Sequence, residues 1–191
     1  MSVQVLECCA GEGRLYRGCW HSFSGACLDK KVEAVSVAAS VRPGWRCYQG
    51  DTERALIGGF MRHIPFDVVD IDTYGSPWPI LRAWMTSERE RAEITHVFLT
   101  DGYMRHRSVS SACRALFQER HGVKGVISLE MYRKAVAARL AEWSLVAEVT
   151  ASMVETVVSR KMSLHYLLVS RSSCPEARRP GGGACQTSGI A

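Results

Sequence analysis

Asp67-Val68-Val69-Asp70-Ile71-Asp72-Thr73-Tyr74-Gly75-Ser76-Pro77 is the stretch from which the fold can be read. Residues 66–72 form an apolar, β-branched run, bounded by Pro65 and by Tyr74-Gly75, and predict a buried strand. Ser76-Pro77 then opens a helix to about residue 91, because proline suits the first helical turn. The same pair recurs on both sides. Upstream, residues 3–6 are a short apolar strand entering the turn Glu7-Cys8-Cys9-Ala10-Gly11-Glu12-Gly13, with a helix expected over 14–23. A second strand over 25–29 precedes a helix over 31–41, which Pro43-Gly44 stops. A third strand over 45–49 closes at Gly50-Asp51. A helix over 52–63 follows, capped by Thr52 or Asp51. Downstream, 94–100 is a fifth strand and 108–120 a helix. The rhythm then changes. Residues 129–143, rich in Ala, Arg and Leu, read as a helix. Residues 147–159 and 163–170 are β-rich runs joined by the basic turn Arg160-Lys161-Met162.

Strict strand–helix alternation implies a parallel sheet with helices on both faces. Two strands joined by a tight turn must be antiparallel. The expectation is therefore an α/β fold with a seven-stranded, mostly parallel sheet and a C-terminal antiparallel hairpin. The globular domain spans 1–171. Residues 172–191, dominated by Arg, Pro, Gly and Ser with Gly181-Gly182-Gly183, read as a disordered tail.

Composition agrees with a folded domain. The chain has 191 residues, 47% apolar and 23% charged, which excludes a mostly disordered chain, a collagen-like repeat and a coiled coil. No stretch approaches the ~20 apolar residues that a membrane span needs. The N-terminus lacks the basic and apolar regions of a signal peptide, so a cytoplasmic location is expected. Net charge is +5, which permits an anionic partner such as nucleic acid. Eight cysteines contain no C-x-x-C pair. They read as reduced, mostly buried thiols, with no metal expected.

Ligands of open α/β sheets bind at the carboxyl ends of the strands. After strand one, Glu7-x-x-x-Gly11-x-Gly13 permits close backbone approach to a ligand. The sixth position from Gly11 is Tyr16, so the dinucleotide fingerprint G-x-G-x-x-G fails. Asp29 follows strand two, eighteen residues beyond Gly11, where an acidic residue can hold a ribose diol. Asp51 follows strand three and could equally be a plain helix cap. After strand five, Asp101-Gly102-Tyr103-Met104-Arg105-His106-Arg107 is a basic loop with an aromatic. It suits a phosphate-bearing substrate or is a solvated charge cluster.

Glu7, Gly11 and Gly13 together resemble motif I of the class I S-adenosylmethionine-dependent methyltransferases. That resemblance covers about residues 3–171 and implies a Rossmann-like methyltransferase fold. It implies S-adenosyl-L-methionine as cofactor, held by Glu7, Cys9, Ala10, Gly11, Glu12, Gly13, Asp29, Asp51 and Asp70. Asp29 would take the ribose hydroxyls and Asp51 the adenine amine. The segment from Asp70 to Pro77 resembles D-x-D-P-[FY]-G-S-P of the tRNA guanine N2-dimethyltransferase family, matching at Asp70, Asp72, Tyr74, Gly75, Ser76 and Pro77. It departs at Thr73, where that family has proline, which leaves the loop less constrained. The chain also lacks room for that family's additional RNA-binding domain.

The chemistry explains the residue types. An exocyclic base amine is a poor nucleophile because its lone pair is delocalised into the ring. A carboxylate that accepts its N–H bond helps localise and orient that pair. Asp72 is the catalytic candidate for this role, and Tyr74 is placed to stack on the base. Asp70, two residues earlier, shares its strand face and is expected to support it. Thr73, Gly75, Tyr103, Arg105 and His106 are the substrate-binding candidates. The expected activity is N-methylation of a nucleobase amine in RNA or DNA. The alternatives are a small-molecule or protein methyltransferase with the same cofactor site, and a catalytically idle binding protein of the same fold. Trp78, Trp84 and Trp143 are expected in the core.

Overall fold

A computed structural model describes residues 2–11, 16–73, 75–102, 116, 128–158 and 162–172. Its strands are β1 (Gln4–Cys8), β2 (Ser24–Asp29), β3 (Arg46–Gln49), β4 (Val68–Asp72), β5 (Ile94–Asp101), β6 (Val149–Val158) and β7 (Ser163–Arg171). They form one seven-stranded sheet in the order β3-β2-β1-β4-β5-β7-β6. The first five pair in parallel, and β7 runs antiparallel to both β5 and β6. The strand order reverses between β1 and β4, which makes their carboxyl ends the expected ligand crevice.

The helices among the described residues are α1 (Val32–Val41), α2 (Thr52–Ile57), α3 (Trp78–Thr86) and α4 (Leu129–Ala147). Alternation along the strands sorts the core into two layers. Leu6, Cys8, Val69, Ile71, Val97 and Leu99 face α2, α3 and α4, whose Leu56, Trp78, Trp84, Leu140 and Trp143 fill the larger cluster. Val5, Cys27 and Val68 face the other way, toward Ala38 of α1, Tyr16 and Trp45. The three tryptophans expected in the core are buried there.

Several helices differ in extent from the sequence reading. The helix expected over 14–23 is a single π-helical turn, Tyr16–Trp20, among the described residues. The helix expected over 52–63 stops at Ile57. Gly58 and Gly59 turn the chain out, Gly59 at φ +82°, and their N–H groups cap the carbonyls of Arg54 and Leu56. The helix expected over 76–91 is only α3. Beyond its end the Arg91 guanidinium folds back on the carbonyls of Trp84, Met85 and Ser87, giving the last turn donors that a longer helix would have supplied. In contrast, α4 runs past residue 143 and closes on Glu148 in the left-handed region, φ 52°. The helix expected over 108–120 lies outside the described residues except at Leu116, and the tail expected over 172–191 does so beyond Ser172.

Among the described residues the cysteines are free thiols. Cys8 and Cys27 are buried, Cys9 and Cys47 partly so, and Cys19 is exposed. No described group of His, Cys, Asp and Glu side chains could hold a metal ion. No described helix is long and apolar enough to cross a membrane.

Candidate functional site at the carboxyl edge of the sheet

The turn after β1 is tied to the end of β2. Cys9 and Gly11 both take positive φ, 62° and 49°, which strains cysteine and suits glycine. The Cys9 and Ala10 N–H groups donate to the Leu28 carbonyl at 2.8 and 3.4 Å. The Gly11 N–H donates to Asp29 Oδ2 at 3.0 Å, and the Lys31 N–H donates to Asp29 Oδ1 at 2.8 Å. Asp29 thus braces two loops. Each of its oxygens accepts one of these hydrogen bonds. The Gly50 N–H in turn donates to the Asp29 carbonyl at 2.9 Å, which brings β3's end to the same edge.

Asp51 caps α2. Its Oδ1 accepts from the Arg54 N–H at 3.1 Å, and Lys30 Nζ lies 3.8 Å from Oδ2. The side chain stays 41% exposed, so capping leaves room for a second partner. Cys9 Sγ lies 3.9 Å from the buried Thr52 hydroxyl. Burial pushes the Cys9 thiol up to about 11, so it is protonated and a weak nucleophile at neutral pH.

Asp72 ends β4, half-buried, opposite Thr100 of β5. Thr73, Gly75 and Ser76 follow it, all half-buried. Gly75 is held by the Gly102 N–H on its carbonyl at 3.2 Å. Thr73 Oγ1 and Ser76 Oγ are buried without a hydrogen-bond partner among the described residues. Buried hydroxyls are normally satisfied, so two orphans flanking one short loop point to a missing partner.

Glu7 and Asp70 lie side by side on β1 and β4, one layer below this edge. Glu7 is 2% exposed and faces Arg42 Nη2 at 2.7 Å, a charge contact without hydrogen-bond geometry. The Arg42 guanidinium is itself buried over the rings of Tyr16 and Trp45, at 5.0 and 5.5 Å. Burial lifts Glu7 to about 7 in spite of Arg42. Asp70 is 3% exposed, and its Oδ2 accepts from Trp20 Nε1 at 2.8 Å.

The fold therefore brings Cys9, Ala10, Gly11, Asp29, Asp51, Asp72, Thr73 and Gly75 to the carboxyl edge, with Glu7 and Asp70 beneath it. Glu12, Gly13, Tyr74, Tyr103, Arg105 and His106 lie outside the described residues. Three partners escape the sequence reading. Arg42 has no local signature, because its partner is 35 residues away on another strand. Trp20 meets Asp70 across 50 residues. Asp101 turns inward at the end of β5, where it accepts from Trp78 Nε1 at 2.6 Å and from the Tyr132 hydroxyl.

No family model and no curated protein matches this sequence. Solved structures do match its shape. Trm1 from Pyrococcus horikoshii, in complex with S-adenosyl-L-methionine, superposes with a TM-score of 0.65 at 14% identity, over 89% of this chain and 51% of that one. This is the Rossmann-like methyltransferase fold. The same methyltransferase fold appears in CalS10, an amino pentose methyltransferase from Micromonospora echinaspora. Its TM-score is 0.52 at 14% identity, over 89% of this chain and 84% of that one. The CurJ carbon methyltransferase gives 0.56 at 12%, over 90% and 49%. The chain thus spans about half the length of Trm1 and of CurJ.

The acceptor set at the edge fits S-adenosyl-L-methionine. Three carboxylates, Asp29, Asp51 and Asp72, suit a ligand rich in hydrogen-bond donors and positive charge. Ribose hydroxyls, an adenine amine, an ammonium and a sulfonium meet that description. A pyrophosphate would meet like charges instead.

Proposed function

We propose that this protein transfers a methyl group from S-adenosyl-L-methionine to an exocyclic amine of a nucleobase in RNA or DNA. The observation that carries the reading is the Asp72 carboxylate. It stands half-buried at the strand reversal, followed by a loop whose Thr73 and Ser76 hydroxyls lack partners. The cofactor would supply an electrophilic methyl carbon on its sulfonium. The chain's own groups do the rest. Asp29 holds the ribose hydroxyls, and Asp51 accepts from the adenine amine. Asp72 accepts from the acceptor's N–H, turns the nitrogen lone pair outward and takes up the proton released on transfer. Thr73 and Ser76 offer hydroxyls to the acceptor's ring edge. The sequence resemblance around Asp72 and the shared fold support this reading. A small-molecule acceptor is the second reading, favoured by the amino pentose methyltransferase of the same fold.

The test follows transfer of labelled methyl to RNA, DNA and free nucleosides. Wild-type protein should label nucleic acid, and Asp72→Asn should lower incorporation by about 100-fold or more. Undiminished incorporation in that variant would sink the role of Asp72. In parallel, calorimetric titration with S-adenosyl-L-methionine should give binding that Asp51→Ala weakens. Folded wild-type protein that binds none would overturn the cofactor assignment. Affinity for nucleic acid should fall steeply with salt; salt-insensitive turnover would favour the small-molecule reading.

A further inference from the structure

Beneath the carboxyl edge, a cavity of about 340 Å³ opens on the sheet face that carries Asp70, and it reaches up to Thr100, the β5 partner of Asp72. That volume lies at the lower end of the range for small-molecule sites. Its walls are aromatic. The Trp20 ring lies 5.8 Å from Phe98, and Phe98 stacks on Tyr166 at 5.0 Å and 11°. Its charged groups are acidic, Asp70 from β4 and Glu155 from β6. Trp20 Nε1 occupies Asp70 Oδ2, while Asp70 Oδ1 accepts no hydrogen bond from any described residue. No described lining residue is Lys or Arg. His165 also lines the cavity, and burial pushes it down to about 4, so it is neutral at pH 7.

We propose that this cavity binds a small organic cation, an amine or quaternary ammonium on a ring or short apolar body, beside the packed Trp20, Phe98 and Tyr166 rings that border it and against the Asp70 and Glu155 carboxylates. Aromatic faces carry negative quadrupole density and attract a desolvated cation. A carboxylate in a low-dielectric site is costly when ionised and unpaired, and a bound cation removes that cost. Burial already lifts Asp70 to about 6, against the opposing effects of the Trp20 hydrogen bond and the Arg42 charge. Among the described lining residues a phosphate would meet two carboxylates and neither Lys nor Arg, which favours a cation over an anion. Asp70 is common to this cavity and to the layer beneath the carboxyl edge, while the acidity of the cavity does not depend on the nucleobase reading above.

Three ligands that share one phenol ring test it on the full chain: cationic tyramine, neutral tyrosol and anionic 4-hydroxyphenylacetate. Binding is followed by calorimetry and by tryptophan fluorescence, which Trp20 reports. Tyramine should bind about tenfold or more tighter than tyrosol, and 4-hydroxyphenylacetate should not bind. Asp70→Asn, which keeps an acceptor for Trp20, should cost tyramine about tenfold or more and leave tyrosol unchanged. Glu155→Gln, at an exposed position of β6, should weaken tyramine in the same sense and stands as the test should Asp70→Asn fail to fold. Equal affinities for tyramine and tyrosol would overturn the proposal. So would a lack of tyramine binding at millimolar concentration, or tyramine affinity unchanged in both variants.

Discussion

Asp70 lies in the middle of the sheet with one hydrogen bond, from Trp20, and burial lifts its carboxyl from 3.8 to about 6. The folded protein thus holds this proton more tightly than the unfolded chain does. Its contribution to stability is therefore greatest in acid and is lost as the pH rises from about 4 to about 6. Asp70→Asn keeps the acceptor and removes the charge. Relative to wild type, this variant should gain roughly 2 kcal/mol of unfolding free energy between about pH 4 and pH 7. Denaturant melts of both proteins at the two pH values check this, and a difference that does not change with pH would contradict it. At this scale the sequence is a partial guide. Asp29, Asp51 and Asp72 are legible because each stands at or just after the carboxyl end of a strand. The burial of Glu7 against Arg42 is not, because no spacing rule joins β1 to the end of α1.

The strands are read from sequence more faithfully than the helices. A buried strand announces itself as an apolar β-branched run between breakers, and β4 does so within two residues. A helix end depends on what satisfies its last carbonyls. For α2 that is Gly58-Gly59, and for α3 it is the Arg91 side chain, neither of which shows in hydrophobic periodicity. Among the described glycines, Gly25 of β2 has the least room for a side chain. A Cβ there would press far inside van der Waals contact with the Val5 carbonyl oxygen of β1 and lie 3.1 Å from the Trp45 ring. Gly25→Ala must push β1 and β2 apart. It should cost about 3 kcal/mol or more, read from the denaturation midpoint. A loss under about 1 kcal/mol would mean that the two strands separate easily.

Across the whole molecule, one buried polar cluster joins four elements. Asp101 of β5 accepts from Trp78 of α3 and from Tyr132 of α4, and the Tyr132 hydroxyl meets His165 Nε2 of β7 at 3.0 Å. Burial and the neighbouring Asp101 push the Tyr132 hydroxyl well above its usual range, so it stays protonated and donates. Tyr132→Phe should leave the fold intact by circular dichroism. It should lower unfolding free energy by about 1–3 kcal/mol, because Asp101 and His165 lose a shared partner in the core. A neutral outcome would mean that the cluster contributes little to cohesion. The alternation of short apolar runs with helical segments, and the final pair of β-rich runs, were enough to specify a mostly parallel sheet with an antiparallel hairpin. Those features are local and periodic, and they follow from how single segments must bury one face. Chain folding decided which acids stand at the carboxyl edge and which face the core. It sent Asp101 inward, paired Glu7 with Arg42, and left Asp72 at the edge. The reason is distance along the chain: these partners lie tens of residues apart and meet only when the sheet assembles.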